Sequence, residues 1–368
     1  MKRILTYLIL ALSLLSCKEK FVQPDSPQAA ISFASPEVLS TKTLLITDKT
    51  HLVSGTNELG YSVFAARYIP SESGEITNHE QFMTDIKIYS TDSGKTWNYN
   101  GNSYYWSPGA IHKFFAVYPC HDATDNTYDF GLSYSINDTE HALQVTGQHT
   151  EGSKTYICTG TNASGKNGCP DILFGVNKYS TPYSVGEDRG PIIFNLAHAM
   201  AAVSFKFKNI SDIPVRSITT YAISGFMNAA EYVLLSDDGA VWSEGKTIVA
   251  DHSFAVPGFI ASNASPAIGR GQEYKTDGEY WYTALMIPQN FGKLPSSPYF
   301  TFTVTMENMA PKTYTINFQD YRMHTEAENA YSYLPGYHYV YTFNVNANNM
   351  TCDVDIVPWI DDDPIHLN

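Results

Sequence analysis

The sequence predicts an all-β protein whose antiparallel strands form a sandwich or a barrel. Apolar and polar residues alternate with a period of two along much of the chain, the pattern of strands with one buried face. Helical periodicity is nearly absent, and Gly, Pro and Asn clusters recur at spacings of roughly ten residues. At 368 residues the chain is long enough for two such domains.

Composition narrows the range of partners. The 26 tyrosines suit strands that have one apolar face and one wet face. The formal net charge of −14 opposes binding to phosphate backbones, so nucleic acid is not expected as a partner. After residue 16 no apolar stretch is long enough to cross a bilayer, so membrane contact is expected through lipid alone.

The beginning of the chain predicts export. A basic start precedes an apolar run, Ile4–Leu15, that is too short to span a bilayer stably. The run closes with Ser16 and Cys17. Residues 1–16 therefore resemble a bacterial lipoprotein signal, which is cleaved so that Cys17 becomes the lipidated first residue. Residues 17–29 form a polar tether.

One isolated strand-like segment, Ala30–Phe33, follows the tether. Its apolar residues are Ile31 and Phe33, and a loop containing Lys42 separates it from the next strand. Our hypothesis is that the rest of the chain is a β-protein that holds this strand and later exchanges it for a strand of another chain.

Several stretches of the first half predict local structure. Asn78–Thr84 has the pattern of one short capped helix. A tyrosine-rich strand after Trp97 is expected to meet a turn at Ser107–Gly109. The next strand, Phe114–Tyr118, is apolar on both faces, so it should lie centrally in a sheet and be buried from either side.

Ser90–Trp97 fits the Asp-box pattern, Ser-x-Asp-x-Gly-x-Thr-Trp, which marks a hairpin turn. In such a turn Asp92 caps the loop, Gly94 adopts a positive φ and Trp97 packs beneath. An Asp-box glycosidase would repeat the box in several blades. The second candidate, Ser236–Trp242, has the wrong spacing, so the pattern favours a simple hairpin over an enzyme that cleaves sialosides.

The cysteines and histidines offer little chemistry. Cys158 and Cys169 flank a loop rich in Gly, Asn and Ser, where a hairpin-closing disulfide and buried free thiols both fit the sequence. No spacing of cysteine and histidine predicts zinc. His198 lies among apolar residues and is expected to be a core histidine bonded to the backbone rather than a catalytic base. We therefore expect no catalytic residues, no metal and no cofactor.

A polar, breaker-rich stretch, Asn177–Pro191, predicts the domain boundary. The predicted β-sandwich domains are residues 30–185 and 186–368. Beyond the boundary, apolar residues change parity between Phe194–Met200 and Val203–Phe207, which predicts a bulge or bend at Ala201-Ala202. Later alternating strands are Phe300–Met306, Tyr314–Phe318, Tyr339–Val345 and Cys352–Ile356.

A series of short motifs follows one order along the chain: Ile31-x-Phe33, Tyr105–Pro108, Phe114–Pro119, Asp171–Gly175, Phe194–Met200, Leu285–Gln289, Pro335–Tyr341 and Trp359. In this order they resemble the motifs of the Bacteroidales fimbrillins, the subunits of type V pili and their lipoprotein relatives. Each motif alone is weak evidence for the resemblance, but together the motifs cover essentially the whole mature chain.

The resemblance implies two transthyretin-like antiparallel β-sandwich domains in tandem. It also implies a surface-exposed outer-membrane lipoprotein, acylated at Cys17, for example with palmitate. In that family a trypsin-like protease removes the first strand, and a strand of a neighbouring subunit fills the resulting groove. The implied function is therefore a structural, tip or anchor subunit of an adhesive fimbrium, with other pilus subunits as partners and without enzymatic activity.

The resemblance also assigns roles to residues. Ile31 and Phe33 would anchor the leaving strand, and cleavage would follow Lys42 or Lys49. The family's cleavage follows arginine, and here no arginine lies between the signal and Arg67. Lys42 also fits a solvated loop lysine, in which case an uncut chain would remain tethered through Cys17.

The donor strand is expected near the carboxyl terminus. Its residues would be Cys352, Val354, Ile356 and Trp359, whereas Tyr339–Val345 is expected to be an ordinary strand. The alternative function is a non-polymerising surface lipoprotein that binds host or bacterial glycans through exposed aromatic side chains. The candidates for that surface are Tyr104, Tyr105 and Trp106.

Overall fold

The computed structural model describes residues 29–39, 49–55, 58–70, 76–120, 132–158 apart from 138, 140, 148 and 152, 171–220, 223–246, 256–276, 280–318 apart from 295, and 332–358. It confirms the all-β class. Among these residues the helical elements are two single 3-10 turns, Lys49–His51 and Phe291–Lys293. None of the described segments forms a helix with the length and apolar character needed to cross a bilayer.

The strands of the first half are β1 (Glu37–Val38), β2 (Val53–Gly55), β3 (Glu58–Pro70), β4 (Ile76–Ser90), β5 (Asn98–Tyr99), β6 (Ile111–Tyr118), β7 (Ser133–Asn137), β8 (Ala142–Thr146), β9 (His149–Glu151), β10 (Lys154–Cys158), β11 (Leu173–Tyr179) and β12 (Asn195–His198).

The strands of the second half are β13 (Ala201–Asn209), β14 (Val215–Thr220), β15 (Ala229–Ala230), β16 (Tyr232–Ser236), β17 (Gly239–Trp242), β18 (Gly245–Lys246), β19 (Phe259–Ile260), β20 (Glu273–Tyr274), β21 (Tyr282–Met286), β22 (Gln289–Asn290), β23 (Tyr299–Met306), β24 (Lys312–Asn317), β25 (Ser332–Tyr333), β26 (Tyr337–Val345) and β27 (Met350–Pro358).

The N-terminal sheet is built around the strand with two apolar faces. Its order is β1-β12-β11-β6-β3-β4-β5, with β2 paired to β3. β6 lies between β11 and β3, as expected for a strand that is apolar on both faces. Phe114 and Ala116 enter one apolar cluster, which we call the groove core, and Phe115 and Val117 enter another, the middle core.

The helix predicted at Asn78–Thr84 is wrong. These residues lie within β4, where Asn78 pairs with Ile69 and Met83 pairs with Ala65 of β3. Met83 is fully buried in the groove core. Burial of its side chain and the long ladder to β3 outweigh a weak local preference for a capped turn of helix.

The alternating strands of the second half form a sandwich. One sheet has the order β20-β13-β26-β27, with β21 also paired to β13, and the other has the order β19-β14-β23-β24. Their inner faces meet in an aromatic C-terminal core that contains Phe205, Phe300, Phe302 and Phe343. The predicted alternation is thus observed, with apolar residues facing inward and polar residues facing outward.

Strands from the two halves also pair with one another. β16 and β17 continue the sheet of β8 and β7, and β15 and β18 continue the sheet of β10 and β9. Lys113 of β6 is buried and forms an ion pair with Asp237, at 2.6 Å, in the turn between β16 and β17. Pairing therefore crosses the predicted boundary at residue 185, and the division at that residue stays a prediction.

The parity change after β12 has a different cause from the predicted bulge at Ala201-Ala202. Ala201 and Ala202 are regular residues of β13, whereas the chain bends at Ala199 and Met200. This bend carries the chain from the N-terminal sheet to the C-terminal sheet. The side chains change parity because the chain changes sheets, so no extra residue within one ladder is involved.

Candidate functional site: the groove that holds the first segment

Residues 29–39, called here the first segment, lie along the edge of the N-terminal sheet. β1 pairs in parallel with β12 for two residues, Glu37 with Asn195 and Val38 with Leu196. Upstream, isolated bridges join Ala30 to Tyr105 and Phe33 to Ile192. The segment therefore occupies a groove between two walls, Tyr104–Trp106 (the tyrosine wall) and Ile192–Leu196 (the β12 wall).

Backbone hydrogen bonds line both sides of the groove. The amides of Ile31 and Ala34 donate to the carbonyls of Tyr104 and Ile192, at 2.8 and 2.9 Å. Further bonds run from Trp106 N to Ala29 O, Ile192 N to Ser32 O, Glu37 N to Phe194 O and Leu39 N to Leu196 O. Loss of the segment would leave these wall groups without partners, which is costly unless water or another strand replaces it.

The two predicted anchors fill the bottom of the groove. Ile31 is 1% exposed and Phe33 is 7% exposed, and both belong to the groove core. The Phe33 ring stacks on Phe194 with centroids 6.2 Å apart and meets the edge of Tyr99 at 5.8 Å. The Tyr99 hydroxyl donates to the Ile31 carbonyl at 3.1 Å. The groove thus offers two apolar pockets whose occupants are two residues apart along the segment.

Of the two lysines predicted as processing sites, Lys49 is among the described residues and Lys42 is not. Lys42 and Cys17 lie outside the described residues. Lys49 begins a 3-10 turn in which Leu52 N donates to the Lys49 carbonyl, and its Nζ donates to Ser35 Oγ at 2.8 Å. Its backbone and side chain are therefore both engaged, whereas proteolysis favours exposed loop tips.

Three of the predicted donor residues lie in the C-terminal sandwich. β27 is an edge strand, paired antiparallel to β26 along nine residues. Cys352, Val354 and Ile356 are half-buried against the C-terminal core of their own chain, and Trp359 lies outside the described residues. In this structure the strand is thus part of its own sandwich.

The Asp-box turn has the predicted geometry. Asp92 accepts hydrogen bonds from the amides of Lys95 and Thr96, at 3.0 and 2.9 Å, and the Thr96 amide contributes most to holding the Asp92 pKa below its usual range. Gly94 has a φ of +81°, and the buried Trp97 donates from Nε1 to the Gly94 carbonyl. The turn joins β4 to β5 and is a hairpin.

The aromatic surface proposed for glycan binding is smaller than predicted. Trp106 is 1% exposed and packs inside the groove core, so its assignment as an exposed aromatic residue is wrong. Tyr104 is half-buried against Phe82, and Tyr105 is 39% exposed. The stretch from Gly101 to Ala110 is also irregular rather than a strand. The Trp106 ring packs against the rings of His112, Phe114, Tyr179 and Tyr183.

His198 is buried, as predicted, but its partner differs from the prediction. Its Nδ1 lies 3.0 Å from Asp171 Oδ1, and both side chains are nearly inaccessible to solvent. The sequence did not reveal this pair because the two residues meet only when β11 and β12 lie side by side. The pair fixes the start of one strand to the end of the other.

The remaining predicted sites stay predictions. Cys158 ends β10, but Cys169 lies outside the described residues, so the disulfide is untested. Within the described part of the chain, no cluster of His, Cys, Asp or Glu has the geometry of a metal site.

Nothing in the sequence indicated the position of Arg189, which lies in the stretch predicted to be the domain boundary. Its guanidinium lies over the rings of Trp106, Tyr179 and Tyr183, beside the groove. A lone arginine in a polar loop carries no sequence signal for such a position.

An all-β protein with an edge segment held in an apolar groove is the class that this fold and site define. A family model described as Fimbrillin-like matches residues 62–359, more than half of the chain. The chain therefore belongs to the fimbrillin-like family. No match was found among curated protein sequences.

Comparison with solved structures finds one that shares the fold at low sequence identity, together with matches of lower TM-score. A fimbrial protein from Bacteroides vulgatus superposes with a TM-score of 0.55 and 13% identity, covering 90% of this chain and 99% of that one. A fimbrial assembly protein from Parabacteroides distasonis gives 0.35 and 10%, with coverages of 90% and 100%. The tip fimbrial protein Mfa3 from Porphyromonas gingivalis, with a C-terminal truncation, gives 0.35 and 13%, with coverages of 88% and 100%.

Family membership has consequences for function. It supports a pilus-related adhesion subunit, located at the cell surface and assembled with other pilus subunits. It also suggests a role that is not enzymatic.

Proposed function

We propose that this chain is a subunit of an adhesive surface pilus, assembled by donor-strand exchange after proteolytic loss of the first segment. The observation that carries the proposal is the seating of Ile31 and Phe33. Their side chains are buried in the groove core, yet the regular ladder of the segment with the sheet is only two residues long. The segment is thus held mainly by two side-chain anchors and scattered backbone bonds.

The physical consequence of losing the segment is an open edge. Unpaired backbone groups and two empty apolar pockets would face water. A strand donated by another subunit would pair with those groups and place alternate side chains in the pockets. Because the donating and accepting surfaces differ, each subunit would bind the next in one direction, and an open filament would grow.

The proposal includes export as an outer-membrane lipoprotein anchored through Cys17, and release from that anchor by a trypsin-like protease. We place the cut at Lys42 in preference to Lys49. The support is the engagement of Lys49 in its 3-10 turn and with Ser35. The donor residues proposed for the neighbouring copy remain Cys352, Val354, Ile356 and Trp359. To donate from β27, a subunit would have to release that strand from β26.

The test is the amino-terminal residue of the mature protein on cells, determined by mass spectrometry before and after trypsin treatment. We expect a start at Thr43 and oligomer ladders that survive detergent. Lys42→Ala should abolish both, while the matched variant Lys49→Ala should retain both. A chain that keeps lipidated Cys17 and stays monomeric after trypsin would rule out polymerisation.

A further inference from the structure

The strongest unexplained feature beside the groove is the position of Arg189. Its side chain is 4% exposed, although it lies in a polar loop. Its guanidinium carbon is 5.2 Å from the Trp106 ring centroid, 4.9 Å from that of Tyr179 and 5.5 Å from that of Tyr183. A cation enclosed by three rings is held by attraction to their electron-rich faces, and this attraction strengthens as water is excluded.

The loop is folded around this guanidinium. Nε and Nη2 of Arg189 donate to the two carboxylate oxygens of Glu187 at 2.8 and 3.1 Å, and Nη2 also donates to the Thr181 carbonyl. The ion pair, together with the Ser184 amide, lowers the pKa of Glu187. Nη1 is buried and has no hydrogen-bond partner among the described residues. The rings are therefore the main neighbours of that side of the cation.

This contact joins the two walls of the groove. Trp106 is the last residue of the tyrosine wall, and Arg189 lies three residues before Ile192, the first residue of the β12 wall. The junction is at the end of the groove where Trp106 N donates to Ala29 O. Among the described residues, the first segment also joins the two walls, and it is the part that would leave.

The tyrosine wall needs such support because it is not part of a regular strand. When the first segment leaves, this wall loses its bonds to Ala29 and Ile31. The contacts that remain include the bonds of Tyr104 N to the Tyr99 hydroxyl and of Ser107 N to His112 Nε2, at 3.4 and 3.1 Å. They also include a hydrogen bond from Arg67 Nη1 to Ser107 Oγ, the bonds between the Gly109–Ala110 turn and Tyr183, the packing of Tyr104 on Phe82 and Tyr99, and the enclosure of Trp106.

We propose that Arg189 is a positioning residue that holds the two walls at the spacing an incoming strand requires. The inference rests on the proposed strand exchange and adds the element that keeps the acceptor groove formed after the first segment has gone. A groove that stays formed binds its strand without the cost of reordering, and the gain is expressed mainly as slower release. Without the arginine, we expect the strand to leave about tenfold faster.

The experiment uses the full mature chain with a site for a sequence-specific protease inserted after Lys42. The cut chain is loaded with a fluorescent peptide of residues 29–39, repurified, and chased with unlabelled peptide while anisotropy is recorded. Arg189→Met keeps the length of the side chain but removes the cation, so release should become about tenfold faster. Arg189→Lys restores the charge without the planar fork and should give an intermediate rate.

The matched control is Lys113→Met. Lys113 is also a buried cation, 5.2 Å from the ring of Phe115, but it lies on the opposite face of the sheet. Its replacement should lower the stability of the whole chain while leaving the rate of peptide release unchanged. Equal release rates for Arg189→Met and the unmodified chain, or equal acceleration by Lys113→Met, would overturn the role of Arg189.

A second measurement needs no substitution. In the cut chain freed of its segment, hydrogen exchange should be fast at the Trp106 amide, whose acceptor has gone, and slow at the amides of Ser107 and Tyr183. Fast exchange at all three would show that the wall collapses and would refute the inference. If the unmodified cut chain takes up no peptide at all, strand exchange itself is wrong, a result distinct from failure of Arg189 alone.

Discussion

The first segment and the last strand are both edge elements, but they differ in the length of their ladders and in the burial of their side chains. The first segment has a regular ladder of two residues, and its Ile31 and Phe33 side chains are buried. The last strand, β27, has a ladder of nine residues, and its inward side chains are only half-buried. The first segment therefore combines scattered backbone bonds with buried side chains, whereas β27 combines a long regular ladder with half-buried side chains.

The difference indicates what each element is suited to do. An element held by two anchors can be replaced by any strand that presents similar side chains at the same spacing. An element held by a long ladder resists exchange, because its hydrogen bonds open together. The comparison therefore favours the first segment as the strand that leaves and makes release of β27 the slower event if β27 is the donor.

The largest expected effect is at the first anchor. Phe33→Ala should reduce the free energy of unfolding of the N-terminal sheet by about 4 kcal/mol, because it leaves a cavity between Phe194 and Tyr99. Urea denaturation followed by hydrogen exchange measures the change. Val38→Ala, in the same segment but half-buried, is the control and should cost about 1 kcal/mol. If the two substitutions reduced the free energy of unfolding equally, Phe33 would not hold the segment more strongly than its other side chains do.

A smaller effect concerns the strand that holds β27. His338 of β26 is buried, and its Nε2 lies 2.8 Å from Ser204 Oγ. Burial, with a contribution from the charge of Lys206, lowers the His338 pKa from 6.5 to about 4. The unfolded chain therefore takes up this proton near pH 6.5, before the folded chain does. The contribution of the neutral His338 side chain to the free energy of unfolding is complete above pH 6.5 and is lost as the pH falls towards 4.

This pH dependence is testable by removing the titrating group. His338→Gln keeps a polar group near Ser204, so between pH 7 and pH 4 the variant should lose about 3 kcal/mol less stability than the unmodified chain. Urea unfolding at a series of pH values measures it. Burial also lowers the pKa of His112, in the N-terminal half, to about 3. The loss of stability in acid that His112 causes should therefore persist in the His338→Gln variant. If the free energy of unfolding fell equally with pH in the two proteins, His338 would not be the group responsible.

The smallest effect is expected in the last strand. Val354→Ala should cost about 1 kcal/mol, because the side chain is half-buried and the ladder to β26 remains. The measurement is again the free energy of unfolding. A cost as large as that of Phe33→Ala would mean that β27, too, is held chiefly by its side chains, and the contrast between the two edges would disappear.

Local patterns predicted much of the fold. Alternation located the strands of the C-terminal core, the two-faced apolar run of β6 predicted its central position, and the Asp-box residues predicted their hairpin. Ile31 and Phe33, the apolar residues of the isolated strand-like segment, are both buried. These predictions succeeded because strand periodicity, turn geometry and burial depend on residues that are close together in sequence.

Other features depended on contacts between distant parts of the chain. Met83 draws Asn78–Thr84 into a strand because it has a core to enter, and Asp171 meets His198 only across two paired strands. Trp106 is buried among the rings of Phe114 and Tyr179, from two neighbouring strands, and beneath Arg189, which is distant in sequence. By itself the sequence determined the all-β class, the alternating strands of the C-terminal core and the central position of β6. The tertiary structure decided which polar and aromatic residues meet, because those pairings arise only when the sheets assemble.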